Sequence, residues 1–313
     1  MDISSLVRVV LSSGLPCCLL AIGVFLTFRI LDFADMTAEG SLLLGGSTCV
    51  VMLYNGAPAI LATLCGMLVG GCCGFITGCL NRLLKIPKLL SGIITMTASA
   101  SLALLILGFS KTPFKFTSLV TLTDQKTIFS FLPATIFKGW QIPMVTSGIV
   151  IFMIFVIYFF FGTEYGMAIR ATGINEKMAK AQGINTTVTT IACTTISNSL
   201  IGLAGALICQ IEMSMNTASA TGYLVVGLAS ILIGETVFGK RSFKNSLISI
   251  CLGSIVYFTI ISLATFVFHM PSELSKILYA VLIVLALCLP MIKDGILKLW
   301  NKLFKKKKPV EVE

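Results

Sequence analysis

The sequence predicts an all-α polytopic membrane protein of about eight to ten transmembrane helices, some of them short or broken. Composition is the first reason: 56% of the residues are hydrophobic, only 12% are charged, and the mean hydropathy of +0.98 exceeds what a water-soluble domain tolerates. Run length is the second. A helix needs roughly 20 apolar residues to cross a bilayer core, and runs of that order recur at 6–28, 57–80, 89–109, 145–161, 187–211, 247–268 and 274–292, with two shorter ones at 41–54 and 224–238. The third is that basic residues gather at alternate ends of these runs, as membrane topology requires and a nucleic-acid-binding face does not. All nine runs belong to one membrane domain, 1–313.

The first run, 6–28, carries one early cation, Arg8, and no small-residue cleavage pattern follows it, so no cleaved signal peptide is expected. A polar, acidic interruption, LDFADMTAEGS at 31–41, leads into the short run 41–54. Arg82, Lys85 and Lys88 separate the next two runs. A long loop with Lys111, Lys115, Lys126 and Lys138 precedes the run at 145–161. After it comes a polar segment, 164–186, then 187–211, a second polar break at 212–222, and the short run 224–238. Lys240, Arg241 and Lys244 introduce 247–268, and a basic tail, 293–313, follows 274–292.

By the positive-inside rule, Arg82 to Lys88, Arg170 to Lys180, Lys240 to Lys244 and the tail with its four lysines at 305–308 are cytoplasmic. The tail also favours anionic lipid. This parity puts the four lysines between 111 and 138 outside, against the rule. Counting nine crossings back from a cytoplasmic carboxyl end places residue 1 outside; one re-entrant short run would place it inside. The net charge of +10 follows this topology, so no nucleic-acid partner is expected.

All eleven cysteines, Cys17, Cys18, Cys72, Cys73 and Cys79 among them, lie within apolar runs, which indicates neither disulfides nor a metal centre. Zinc would want cysteine and histidine in an enclosed polar site. The one histidine, His269, stands beside Pro271 at the end of a run.

The two breaks resemble one another. Residues 32–45 place an acidic stretch before Gly40, Leu42 and Gly45, and residues 212–227 place one before Gly222, Leu224 and Gly227, a GxLxxG pattern in each case. Each has a full-length run before it and another after it, so 1–163 and 187–292 read as duplicated halves. Paired interrupted helices are the sequence pointer to a transport site at mid-membrane. Unwound backbone and carboxylates are costly in hydrocarbon. Asp32, Asp35, Glu39, Glu212 and Asn216 are therefore expected to face a polar interior, with Thr37, Ser41 and Thr221 capping the helices that restart. The same carboxylates also fit ordinary interfacial loops.

The segment EYGMAIRATGINEKMAKAQGIN at 164–185 has helix-like apolar spacing at Met167, Ile169, Met178 and Ala181, three punctuating glycines, and Arg170, Lys177 and Lys180 on it. It reads as a docking element for a soluble partner. GETVFGK at 234–240 mimics a phosphate-binding loop, but Arg241 stands where Ser or Thr should hold magnesium and a membrane helix precedes it, so no ATP site is expected here. An ion-coupled secondary transporter would also suit broken helices with carboxylates, but would not need the 164–185 element. An enzyme lacks support, with one histidine and neither HExxH nor GxSxG. A channel would want rings of like residues, and none is specified.

LDFADMTAEGS, GIITMTA at 92–98, AIRATGINEKMAKAQGIN at 168–185, SNSLIGLAGAL at 197–207 and GYLVVGLASILIGE at 222–235 occur in the order found in permease subunits of ABC importers. The chain resembles those of the branched-chain amino acid and ribose permease superfamily, nearest the tryptophan and tyrosine uptake branch. The resemblance implies that the 164–186 loop carries a coupling helix seated in a cytoplasmic ATPase, here matching Gly173, Asn175, Met178, Ala179, Gly183 and Asn185. It also implies that 31–41 lines the translocation path. The implied assembly is a permease dimer, expected to be a homodimer, in the bacterial plasma membrane. Two ATPase subunits would bind the ATP and magnesium, this chain would hold no cofactor, and an extracellular binding protein, lipoprotein or periplasmic, would deliver a small solute. An amino acid is favoured, with sugar or nucleoside next, and alternating access is the expected mechanism.

Overall fold

The computed structural model describes residues 3–110, 115–123, 125–131, 139–218, 220–239 and 242–268. The expected span at 274–292, His269, the basic tail, and Lys111, Lys138, Lys240 and Arg241 lie outside the described residues.

The described residues form ten α-helices, eight on the apolar runs and α6 and α7 in the polar segment: α1 Ile3–Phe25, α2 Thr37–Tyr54, α3 Ala59–Arg82, α4 Lys88–Gly108, α5 Gln141–Phe160, α6 Glu164–Ile174, α7 Glu176–Ala181, α8 Thr186–Ile211, α9 Tyr223–Phe238 and α10 Phe243–Phe268. Six of them, α1, α3, α4, α5, α8 and α10, are long and apolar enough to cross a membrane. The two short runs are α2 and α9. A two-stranded antiparallel pair, β1 Leu119–Thr121 with β2 Ser214–Asn216, joins the two long loops, Val120 opposite Met215. The sequence pattern gave no sign of it, because three-residue strands have too little alternation to read.

One end of the bundle gathers Arg8, whose guanidinium lies 6.0 Å from the Trp140 ring centroid, the strand pair, and Gln210 at the last turn of α8. The other gathers Arg29, Arg82, α6, α7 and Lys244, and with them every described basic cluster that the charge rule places in the cytoplasm. Helices α1 and α9 therefore run toward the end that holds the basic clusters and α2 runs away from it; α9 is a shorter apolar helix, outside the six spans. By the charge rule, the start of α1 falls at the outer end.

The packing is cross-paired between the halves. Helix α8 packs on α2 and α3, α1 packs on α9 and α10, and α1 and α8 meet at the centre. Small residues permit the closest approach: an added Cβ at Gly45 would meet the Gly202 backbone at 2.5 Å. Helices α1 and α8 are the most buried spans, whereas α4 and α5 bury little more than one stripe each. The ten described cysteines are free and seven of them are buried, as packing residues.

Candidate functional site

Helix α1 loosens before it ends. Residues Leu26–Ile30 form a π-turn, Leu31 closes it, and Asp32 adopts a left-handed φ of 51° that turns the chain back into the protein. Residues 33–36 then pass unwound to the start of α2 at Thr37. There Asp35 Oδ1 accepts a hydrogen bond from the Thr37 amide at 2.9 Å, so the carboxylate is the acceptor at the helix start. Its Oδ2 accepts from Asn198 Nδ2 at 2.7 Å, Ser41 Oγ donates to Asn198 Oδ1 at 2.7 Å, and the hydroxyls of Thr37 and Thr77 lie 2.7 Å apart. All five side chains are buried. The cluster stands roughly 18 Å along α8 from the start of that helix, and about one turn inside the ends of α3 and α4, at Thr77 and Gly92.

The second break returns to the same level. Beyond Ile211 the chain descends beside α2, where an added Cβ at Gly46 would meet Met215 Sδ at 2.8 Å, and reaches Gly222 with φ 96° at the start of α9. Glu39 Oε1 accepts a hydrogen bond from the Gly222 amide at 2.9 Å, joining the two interruptions.

The sequence expectations divide here. Asp35, Thr37, Glu39 and Ser41 come together. Asp32 and Thr221 are exposed, Glu212 is exposed at the outer end of α8, and Asn216 pairs in β2 opposite Leu119; none of these four joins the cluster. The capping expectation is corrected: Thr37, Ser41 and Thr221 do not cap, because Asp35 holds the Thr37 amide and Glu39 the Gly222 amide from across the break. Gly40 and Gly222 are not in equivalent positions either. Gly40 lies inside the first turn of α2 against Ser99 and Met96 of α4, while Gly222 precedes α9 in open space. The central Asn198 was not singled out from sequence. An amide in the middle of a 26-residue apolar helix, whose only other amide, Gln210, stands in the last turn, was the available signal.

A second site lies at the cytoplasmic end. The α6 face formed by Gly166, Ile169 and Thr172 is buried, and at Gly173 an added Cβ would collide with the Ile30 carbonyl oxygen, so α6 docks on the π-turn of α1. Arg170 donates to the Phe161 carbonyl at 2.9 Å and lies 4.2 Å from the Phe243 ring centroid. Asn175 and Asn185 cap α7 and α8, accepting from the amides of Met178 and of Thr187 and Val188, and Gly183 turns the chain at φ 81°. Ala179 is buried. Tyr165, Met167, Ile174 and Met178 are exposed, Ile174 by 86% and Met178 by 62%. Glu176 binds this element to the spans: it accepts from Arg82 of α3 at 2.7 Å and pairs with Lys180 at 2.9 Å. Those two cations, Lys180 first, hold its carboxyl down at about 2. Of the residues expected to meet a partner, Met178 presents an exposed apolar side chain, and Asn175 and Asn185 are exposed but engaged as caps. Gly173, Asn175, Ala179, Gly183, Asn185 and Arg170 shape or anchor the element. Among the described residues no cluster of ligands could hold a metal ion.

A cluster among broken helices and a polar helix pair at one end, on a bundle of six apolar spans, fit a multi-pass transport protein. Residues 6–287 match the family described as branched-chain amino acid transport system / permease component, and the chain belongs to that family. It is a permease of the ABC-importer type, located in the bacterial plasma membrane. It is 36% identical over 253 residues, 80% of each chain, to a tyrosine transport system permease protein of Clostridioides difficile. Over 235 residues it is 29% identical to a probable branched-chain amino acid transport permease, LivH, of Methanocaldococcus jannaschii, covering 74% of this chain and 72% of that one. A fructose import permease, FrcC, of Rhizobium meliloti is 25% identical over 205 residues, 64% of this chain and 54% of its own. No solved structure matches the chain.

Proposed function

We propose that this permease imports an amino acid, aromatic or branched-chain, as one of two copies in a complex with two cytoplasmic ATPase subunits and an extracellular binding protein. The ATP and magnesium belong to the ATPases. The observation that carries the partner assignment is the exposed apolar set Tyr165, Met167, Ile174 and Met178, on an element anchored by Gly173 to α1 and by Glu176 to α3. Large exposed apolar residues on a rigid cytoplasmic element mark an interaction surface. The amino acid class rests on kinship with the tyrosine permease of C. difficile.

In this reading, force on α6 and α7 reaches α1 through the Ile30–Gly173 contact and α3 through Arg82. Those helices border the Asp35–Asn198 cluster, where α2 starts. A shift of either would reset the join between the breaks, giving alternating access between two discrete packings. Duplicated halves of opposite direction fit this, since α1 and α8 run antiparallel, as do α2 and α9. Proteoliposomes containing the permease, its ATPase and binding protein test the assignment. Uptake of labelled tyrosine should require ATP and survive ionophores. Uptake driven by an ion gradient without ATP would establish a secondary carrier instead.

A further inference from the structure

At the cytoplasmic membrane surface, the end of α5, the first turn of α6 and the start of α10 enclose a cavity of about 730 Å³. Tyr158, Phe159, Phe161 and Phe243 form its apolar side, and Arg170 and Lys244 its charged side. Among the described residues, one guanidinium nitrogen of Arg170 is used, on the Phe161 carbonyl. Its Nε is shielded from solvent without a hydrogen-bond partner. Neither cation forms an ion pair among the described residues, and no acidic residue lines the cavity. At its rim Ser242 caps the Asn245 amide, and the amides of the first turn of α10 lack helical acceptors. In sequence, Lys240 and Arg241 directly precede Ser242.

Two unpaired cations, a helix start and an aromatic wall together call for an anion with an apolar body. We propose that this cavity binds the phosphate of an anionic phospholipid of the cytoplasmic leaflet, Arg170 and Lys244 taking the phosphate oxygens and the aromatic side chains the glycerol and first acyl carbons. The aromatic residues stand at the end of a membrane span, where such belts meet headgroups, and a planar guanidinium suits phosphate. Because Arg170 lies on α6, the bound lipid would hold α6 against α5 and α10.

The probe is phosphatidylglycerol, titrated against the purified full-length permease in zwitterionic detergent and read by native mass spectrometry, with phosphatidylcholine and inorganic phosphate as parallel arms. Phosphatidylglycerol should be retained over phosphatidylcholine, and Lys244→Gln should weaken it about fivefold, the effect expected of one surface cation. Lys244→Arg should restore it. Lys244 is exposed, so a folding defect is not expected, and the elution volume of the variant checks this. Arg170→Gln should weaken retention further. Equal retention of the two lipids, or retention unchanged in both Gln variants, would overturn the proposal. Saturation by inorganic phosphate with no lipid retained would keep a phosphate site and overturn the lipid. Loss of ATPase association in Lys244→Gln, with lipid binding unchanged, would give the cations to the protein partner and also overturn it.

Discussion

Glu39, in the first turn of α2, accepts a hydrogen bond at 2.9 Å from the amide of Gly222, which opens α9. The contact joins residues 183 positions apart and is the one described hydrogen bond directly between the two helix starts. If the two breaks move relative to each other during transport, this bond must be remade or released. Glu39→Gln keeps an acceptor oxygen and should retain most uptake, whereas Glu39→Ala leaves the amide without its partner and should lose at least tenfold, equivalent to about 1.4 kcal/mol. Equal uptake by Ala and Gln variants would show that the bond is incidental.

Asn198 satisfies Asp35 and Ser41 at once. Asn198→Leu removes both partners from a buried cluster, at a cost of about 1–3 kcal/mol for each group left unpaired. The expected outcome is a lower melting temperature in detergent and poor expression. Asn198→Asp, which sets a second carboxylate beside Asp35, should be worse. A melting temperature equal to that of the unsubstituted protein would show that water replaces the amide.

Met178→Asp and Ala179→Asp should fail for different reasons. Met178 is exposed, so its variant should insert and fold but lose substrate-stimulated ATP hydrolysis in the reconstituted complex, since an interface anchor is worth about 2 kcal/mol. Ala179 is buried at 3% exposure, so a carboxylate there should destabilise the permease itself. Normal ATPase stimulation in Met178→Asp would remove this face from the proposed interface.

The two glycines at the breaks should also part company. At Gly40 a side chain would meet Ser99 Cβ at 2.8 Å and the Met96 backbone at 3.1 Å, so Gly40→Leu should reduce folded yield sharply. At Gly222 there is room, and only the left-handed φ of 96° resists substitution, at about 1–2 kcal/mol. Gly222→Ala should therefore fold with modestly lowered stability, which thermal melting of both variants would check.

Glu176 titrates at about 2, below its ordinary 4.5. A depressed carboxylate stabilises the folded form fully above its unfolded value and loses that contribution as pH falls through the folded one. The attachment of α7 to α3 should be unaffected near neutrality and weaken between about pH 4.5 and 2. In Arg82→Gln the contact with α3 is absent at every pH and the folded carboxyl is less depressed, so protection should be lower near neutrality and its change with pH smaller. Hydrogen exchange of the 176–182 amides across this range is the measurement, and a profile identical in both proteins would show that Arg82 does not hold Glu176.

The sequence by itself determined the spans, because each must present an uninterrupted apolar length to lipid, and that requirement is written residue by residue. The two breaks were legible too, since carboxylates inside a hydrophobic chain stand out, and so was the 164–185 segment as a distinct helical element, with its glycines and cations between two apolar runs. Sidedness was legible only up to parity. The tertiary structure added that Arg29, Arg82 and α6 share one end. It also decided the roles inside each site. Asp35 and Asp32 look alike in sequence, but one is buried against Asn198 and the other is exposed, a distinction set by how α8 packs on α2. Met178 and Ala179 are neighbours in the chain, and the rotation of a single helical turn sends one outward and buries the other. Pairings such as Glu39 with Gly222, Arg82 with Glu176 and Arg29 with Glu235 join residues far apart in the chain, and no local pattern encodes them. They exist because antiparallel spans bring distant breaks and distant ends to the same depth in the membrane.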